Sequence, residues 1–285
     1  MMGPVAAYLP GNRLHLQHGP IDLIIGADGD RDVAFAAAQG RFSSILDELV
    51  AELAALRLPM GADVARPMGA IARRMDRATR PLSDHFVTRM AAVAGAVADT
   101  ILQSMVQAAP LTRAYVNNGG DIALHLAKNQ SLTLAISGHY GAQLGRATIH
   151  HSDRVRGIAT SGRHGRSHSL GIACSVTVLA QNAASADGAA TLIANAVDLP
   201  DHPAIIRRPA CDLDDMSDLG AQPVVTRCGP LSLHDIETAL DHGHRRAAEY
   251  VRTGQISAAA LFLQGQSCVL NPDALTLTNR IPAHA

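Results

Sequence analysis

The apolar positions fall into two periods, and the switches between them mark out the elements. Arg13-Leu14-His15-Leu16 and Ile21-Asp22-Leu23-Ile24-Ile25 alternate, or nearly so, on either side of His18-Gly19-Pro20, which predicts two strands joined by a tight turn. Residues 26–30 break the pattern. Phe35, Ala38, Phe42, Ile45, Leu46, Leu49, Leu53 and Leu56 then recur at helical spacing, so one amphipathic helix is expected from Arg31 to Arg57, bent near Gly40 and closed by Pro59. Residues 59–81 hold several prolines and arginines and read as irregular with short helical turns. Ser83 or Asp84 is the expected cap of a second helix running to about Gln107, whose Ala91, Ala92, Ala94, Gly95 and Ala98 form a face small enough for close packing.

Next, Tyr115-Val116-Asn117-Asn118-Gly119-Gly120-Asp121-Ile122 reads as strand, sharp turn and strand, and Leu132-Thr133-Leu134-Ala135-Ile136-Ser137 alternates as a half-buried strand should. Beyond Gly141 the order of elements recurs, with extended segments at 147–151 and 170–180, helices at 183–197 and 232–252, and closing strands at 257–263 and 267–270. No residue-level repeat accompanies this, so duplication rests on element order alone. The expected fold is α+β, a single domain of two tandem strand-strand-helix-helix-strand-strand modules over residues 10–140 and 141–275, each an antiparallel sheet covered by helices on one face.

Composition narrows the function. With 47% hydrophobic and 17% charged residues, the 285-residue chain is an ordered globule rather than a disordered one. A net charge of -1, aromatics at 3% and no Trp argue against nucleic acid and anionic membranes as partners. The apolar run Met90 to Ala98 is interrupted by Asp99 and is too short for a bilayer span. Met1 to Pro20 lacks a cationic start followed by an apolar run, and Cys174, Cys211, Cys228 and Cys268 form no Cys-x-x-Cys pair, so a cytoplasmic protein with free thiols is expected.

Three patches carry candidate chemistry. Gly119 and Gly120 permit positive φ and let backbone N–H groups approach a ligand, with Asn117, Asn118 and Asp121 supplying short polar groups at the same edge. Asp187 and Thr191 lie four residues apart at the start of an alanine-rich helix, hence on one face, and with that turn could hold a hard cation. The bland reading of Asp187 is a partner of the helix dipole, and that of Thr191 a bond to a carbonyl one turn back. Between Arg146 and His168 the arginines Arg146, Arg154, Arg156, Arg163 and Arg166 face a single acid, Asp153, in a stretch suited to phosphate oxygens or simply to solvent. His168 is a candidate base, since an imidazole in general titrates close to neutral pH. Zinc on His164, His168 and Cys174 is disfavoured, because Gly165 and Gly171 argue against a helix there.

Taken together, Val116-Asn117-Asn118-Gly119-Gly120-Asp121-Ile122, Ala159-Thr160-Ser161-Gly162, Ser175-Val176-Thr177-Val178 and Ala186-Asp187-Gly188-Ala189-Ala190-Thr191 resemble the ApbE superfamily of flavin transferases in order and approximate spacing. Met90 to Ala98, Arg166-Ser167-His168-Ser169-Leu170-Gly171 and Ser217-Asp218-Leu219-Gly220 look like its branch known as uncharacterised protein family 0280. The resemblance implies paired modules, magnesium beside the pyrophosphate of FAD, and either FMN moved onto a protein hydroxyl or FAD hydrolysed. By position it makes Asp187 and Thr191 the magnesium-binding pair, Asn117, Gly119, Gly120 and Asp121 the loop facing the nucleotide, and Ser161 and Gly162 the flavin-side turn. Flavin transferases carry a longer insert containing His-Ile-Ile-Asp-Pro and then Thr-Gly, whereas here Ser167 to Gly171 runs almost directly into the next strand, with His168 standing in for the catalytic His.

The expected function is magnesium-dependent transfer or hydrolysis at a phosphoanhydride of a flavin- or nucleotide-like cofactor. Asp187 and Thr191 ligate the metal, Asp121 assists directly or through water, His168 moves a proton, and Arg163 and Arg166 neutralise charge. The alternative is a cofactor-binding or assembly protein that kept the scaffold without catalysis. Either is compatible with a homodimer.

Overall fold

The computed structural model describes residues 3–61, 63–138 and 143–277. In chain order the elements are β1 (Val5–Leu9), β2 (Arg13–His18), β3 (Ile21–Gly29), α1 (Arg31–Ala51), α2 (Leu53–Leu56), α3 (Ala70–Thr79), α4 (Val93–Ala108), β4 (Leu111–Asn118), β5 (Asp121–Leu126), β6 (Ser131–Ser137) and β7 (Gln143–His150). There follow β8 (Gly157–Ser161), β9 (Ser175–Ala180), α5 (Ala183–Ala196), β10 (Ile205–Pro209), β11 (Pro223–Cys228), α6 (Leu233–Arg252), β12 (Ala258–Leu263), β13 (Gln266–Leu270) and β14 (Leu275–Leu277). Helices and antiparallel strand pairs together make this an α+β protein. Two compact units are present: Met1–Leu132 with Ile149–Ala159 and Ala180–Gly188, and Thr133–Thr148 with Thr160–Leu179 and Ala189–Ala285. The module boundary expected at 140/141 lies outside the described residues.

In the first unit the strands lie in the order β1-β2-β3-β4-β5-β8. Alternation along them turns Leu14, Leu16, Leu23, Ile25 and Val116 into a core shared with Phe35, Phe42 and Ile45 of α1 and with Ala96, Val97 and Ile101 of α4. Each large side chain buried there contributes roughly 1.5–3 kcal/mol. β1 escaped the sequence reading because its residues are almost all exposed, leaving no alternation to see.

Three expectations in this unit need correcting. The helix from Arg31 stops at Ala51 rather than Arg57, because Glu52 leaves helical geometry and its carboxylate accepts the amides of Met68 and Gly69 at 2.8 and 2.6 Å. Those bonds start α3 inside a segment read as irregular, where buried Ile71, Ala72, Met75 and Ala78 give a helical stripe masked by the surrounding arginines and prolines. Neither Ser83 nor Asp84 caps the next helix. The chain enters α4 through a 3-10 turn at Arg89–Ala92, opened by Thr88, whose hydroxyl accepts the Met90 amide at 3.2 Å. Arg89 fixes that entry. It is 1% exposed, pairs with Asp76 at 2.9 Å, and donates to the carbonyls of Ala55 and Ala65.

In the second unit β9, β12 and β13 pair antiparallel in that order, β9 and β12 are buried along their whole length, and α6 packs on β12 and β13. Gly243 makes the close approach possible, since a Cβ there would stand 2.7 Å from Leu261 and 2.3 Å from Val197. A separate sheet β14-β7-β6 and the ribbon β10-β11 complete the unit. The strand expected from 170 begins only at Ser175. Residues before it form a loop, with the Ile172 amide on the Val197 carbonyl. No helix of the described residues is long and apolar enough to cross a membrane.

Candidate functional site

The first unit builds its site from two helix starts and one hairpin. α4 has no side-chain cap from its own flanking residues. Its Gly95 amide donates instead to Asp187 Oδ2 on α5, at 3.0 Å. The start of α5 is served in return, since the amides of Ala183 and Ala184 donate to the two oxygens of Asp99, each at 3.0 Å. Gly95 is required at this crossing because a Cβ would fall 2.3 Å from the Ala183 carbonyl oxygen. The small-residue face read from the sequence is thus where one helix start sits on the other.

The hairpin joins the same assembly. Asn118 pairs with Asp121 in the β4–β5 register, leaving Gly119 and Gly120 as a two-residue turn with φ of +68° and +115°. Asn117 Oδ1 accepts the Gly120 amide at 2.8 Å, and Asn118 donates from Nδ2 to the Ala94 carbonyl at 3.1 Å, one residue before Gly95. Asn117, Asn118, Gly119, Gly120, Asp121 and Asp187 therefore belong to one cluster.

Its electrostatics are set by carboxylates. Desolvation pushes the Asp187 carboxyl well above the usual range, the charge of Asp121 adds to this, and the Gly95 and Ala94 amides oppose it. Burial likewise raises Asp99, against the amides of Ala184 and Ala183 and the charge of Arg74. The charges of Asp121 and Asp187 thus act on one another beside the glycine turn, and Thr191 follows four residues after Asp187 along α5. Among the described residues no three His, Cys, Asp or Glu side chains form a metal-holding group.

The second unit holds the other candidates on one loop. Ser161 ends β8, and Gly162 adopts φ +151° where a Cβ would meet the Cys174 carbonyl oxygen at 2.6 Å. The Arg163 amide donates to Ala173, one guanidinium nitrogen lies 4.0 Å from Cys174 Sγ, and its Nε is buried with no partner, as is Ser175 Oγ. Ser161, Gly162 and Arg163 are thus held together. Arg166 and His168 lie further along on an exposed run, and no described bond orients the His168 ring.

Asp99 is the residue that sequence reasoning missed. It was legible only as the charge interrupting an apolar stretch, a position where a carboxylate is retained when it has N–H groups to accept.

A sequence model of the family described as AbpE bacteria matches residues 6–269. The chain belongs to this ApbE-like family. A UPF0280 protein of Methanopyrus kandleri is 34% identical over 212 residues, covering 72% of this chain and 83% of that protein. A UPF0280 protein of Methanothermobacter thermautotrophicus is 36% identical over 133 residues, spanning 46% of this chain and half (50%) of that one. Among solved structures, the apo flavinyl transferase ApbE of Pseudomonas stutzeri aligns with a TM-score of 0.47 at 13% identity, covering 97% of this chain and 94% of that one. The flavin transferase ApbE of Vibrio cholerae gives 0.45 at 11%, covering 94% and 97%. The ApbE-like character read from residues 115–197 is borne out at the level of the family.

Proposed function

We propose that this ApbE-like protein is a magnesium-dependent enzyme acting on a phosphoanhydride of a flavin- or nucleotide-like cofactor, by transfer or by hydrolysis. The observation that carries the reading is the placing of the Gly119-Gly120 turn beside Asp187, with Asn118 bonded to the Ala94 carbonyl and the next amide, of Gly95, bonded to Asp187. Asp187 and Thr191 would hold the metal, with Asp121 acting directly or through water, and the bound ion would neutralise charge on the phosphoanhydride oxygens. Gly119 and Gly120 leave backbone free of Cβ atoms at the ligand edge. Arg163 and Arg166 would take oxyanion charge, and His168 would exchange a proton with the attacking or leaving oxygen.

The test is a panel of FAD, dinucleotides and nucleoside triphosphates, each incubated with and without Mg2+, with products separated by chromatography. Magnesium-dependent cleavage that disappears in Asp187→Asn is expected. Neither turnover nor metal-dependent binding for any member would end the proposal.

One observation favours a second reading, in which the protein binds a cofactor without transforming it. His168 lies exposed on a loop open to solvent, an unpromising arrangement for a general base. On that reading Mg2+ and nucleotide together raise the melting temperature while no product forms.

A further inference from the structure

The first unit contains a cavity of about 220 Å³ that shares no lining residue with the Asp187 cluster. It lies on the sheet face opposite the helical core: Leu14, Ile25, Ala114 and Val116 point into that core, so Arg13, Gly26, Arg113 and Tyr115 point the other way. Register sets its walls. Asp28 stands directly across from Arg113, and Gly26 across from Tyr115.

Three guanidinia, of Arg13, Arg31 and Arg113, line this cavity against one carboxylate, Asp28. Each is anchored through its Nε: Arg13 to the Pro10 carbonyl at 3.0 Å, Arg31 to the Ala27 carbonyl at 2.8 Å, and Arg113 to Asp28 Oδ2 at 2.8 Å. Asp28 also meets Nη2 of Arg113 at 2.7 Å and, more loosely, Nη2 of Arg31 at 3.8 Å. No described bond uses the Nη1 of any of the three. A surface patch of arginines normally splays into water, since holding such side chains costs rotamer entropy. Three anchored forks with a surplus of two positive charges are instead preorganised for an anion with several oxygens.

The floor defines the rest of the occupant. A Cβ on Gly26 would stand 2.4 Å from Cε1 of Tyr115, so the phenol ring lies down on the glycine backbone and presents an apolar surface beside the cationic wall. Pockets for drug-sized ligands run from about 300 to 1,000 Å³, so this one takes a single charged group on a small body rather than a dinucleotide. We propose that it binds a small phosphate monoester, with Arg13, Arg31 and Arg113 on the phosphate and Tyr115 under the organic group. The inference stands independently of the phosphoanhydride chemistry above.

Isothermal titration with inorganic phosphate and with phenyl phosphate, at constant ionic strength and with a chelator so that no metal contributes, tests it. Saturable binding of both is expected, tighter for phenyl phosphate. Arg13→Ala and Arg113→Ala should each weaken binding roughly tenfold or more, the loss of a charge-assisted bond or two. Tyr115→Leu should erase the preference for phenyl phosphate while phosphate still binds. Arg13→Ala removes a single exposed side-chain bond, to the Pro10 carbonyl, so it reports on the site even where Arg113→Ala, which breaks the Asp28 pair, unfolds the chain. Arg245→Ala, an exposed arginine on α6, and Asp187→Asn should leave the affinity unchanged. Absence of saturable binding at millimolar ligand, an equal loss in Arg245→Ala, or a loss in Arg163→Ala in place of Arg13→Ala would overturn the assignment.

Discussion

Asp99 and Asp187 exchange helix caps: Asp187 sits about one turn and Asp99 nearly two turns inside its own helix, and each accepts amides from the first turn of the other's. The two are not equivalent in consequence. Both oxygens of Asp99 are bonded to Ala183 and Ala184, whereas Asp187 also faces the charge of Asp121. One carboxylate serves as a fastening, and the other is held in an unfavourable place.

Asp187→Asn should therefore stabilise the metal-free protein near pH 8, by about 0.5–2 kcal/mol, the size usual for a single stabilising substitution. The amide oxygen can still accept from Gly95 while the repulsion with Asp121 disappears. Urea denaturation in chelator measures it. A variant less stable than the parent would mean that the like-charge strain is absent.

Asp99→Ala should do the reverse, costing about 1–2 kcal/mol through the two orphaned amides of α5. Magnesium-dependent binding should weaken along with it, because α5 carries Asp187. Loss of stability with unchanged metal response would separate the fastening from the site.

Gly95→Ala places a methyl 2.3 Å from a carbonyl oxygen and 2.7 Å from the Ala184 nitrogen, both backbone atoms that cannot swing aside. The helix crossing must open, at a cost of about 1–3 kcal/mol or more. Gly40→Ala meets nothing within 4 Å and should be neutral or mildly stabilising by the same denaturation measurement.

The Asp76 cluster supplies a pH test. Burial would raise this carboxyl, but bonds and charge from Arg80 and Arg89 outweigh it and hold the group below its usual range. A depressed carboxyl contributes stability that is present above the unfolded value, about 3.9, and is lost as pH falls through the lower folded value. Asp76→Asn should cost about 3–5 kcal/mol at neutral pH by leaving buried Arg89 without its charge partner. The gap between the two proteins, followed by urea melts from neutral pH downward, should narrow below pH of about 4. A gap that stayed constant would exclude the ion pair as its source.

Strands with one buried face, such as β2, β3 and β4, were legible because alternation records which side meets the core. The glycine turn and the helix start at Ala183 were legible because their conformations demand particular residues. What stayed hidden depends on partners far along the chain. The break at Glu52 exists to bond residues 68 and 69, and the entry to α4 is fixed by Arg89 reaching Asp76, Ala55 and Ala65. The likeness of Ala94-Gly95-Ala96-Val97-Ala98-Asp99 to Asn182-Ala183-Ala184-Ser185-Ala186-Asp187 also went unseen, since small residues leave little pattern until the two segments are found gripping one another.

The bond from Gly95 to Asp187 spans 92 positions. On a ribosome adding about 5–20 residues per second, the start of α4 waits on the order of 5–20 s for its acceptor to be made. Through that interval the early strands can already pair by short loops, while the acidic hollow has no second wall. The strands of the first unit are thus all begun before the last wall of the centre they carry exists.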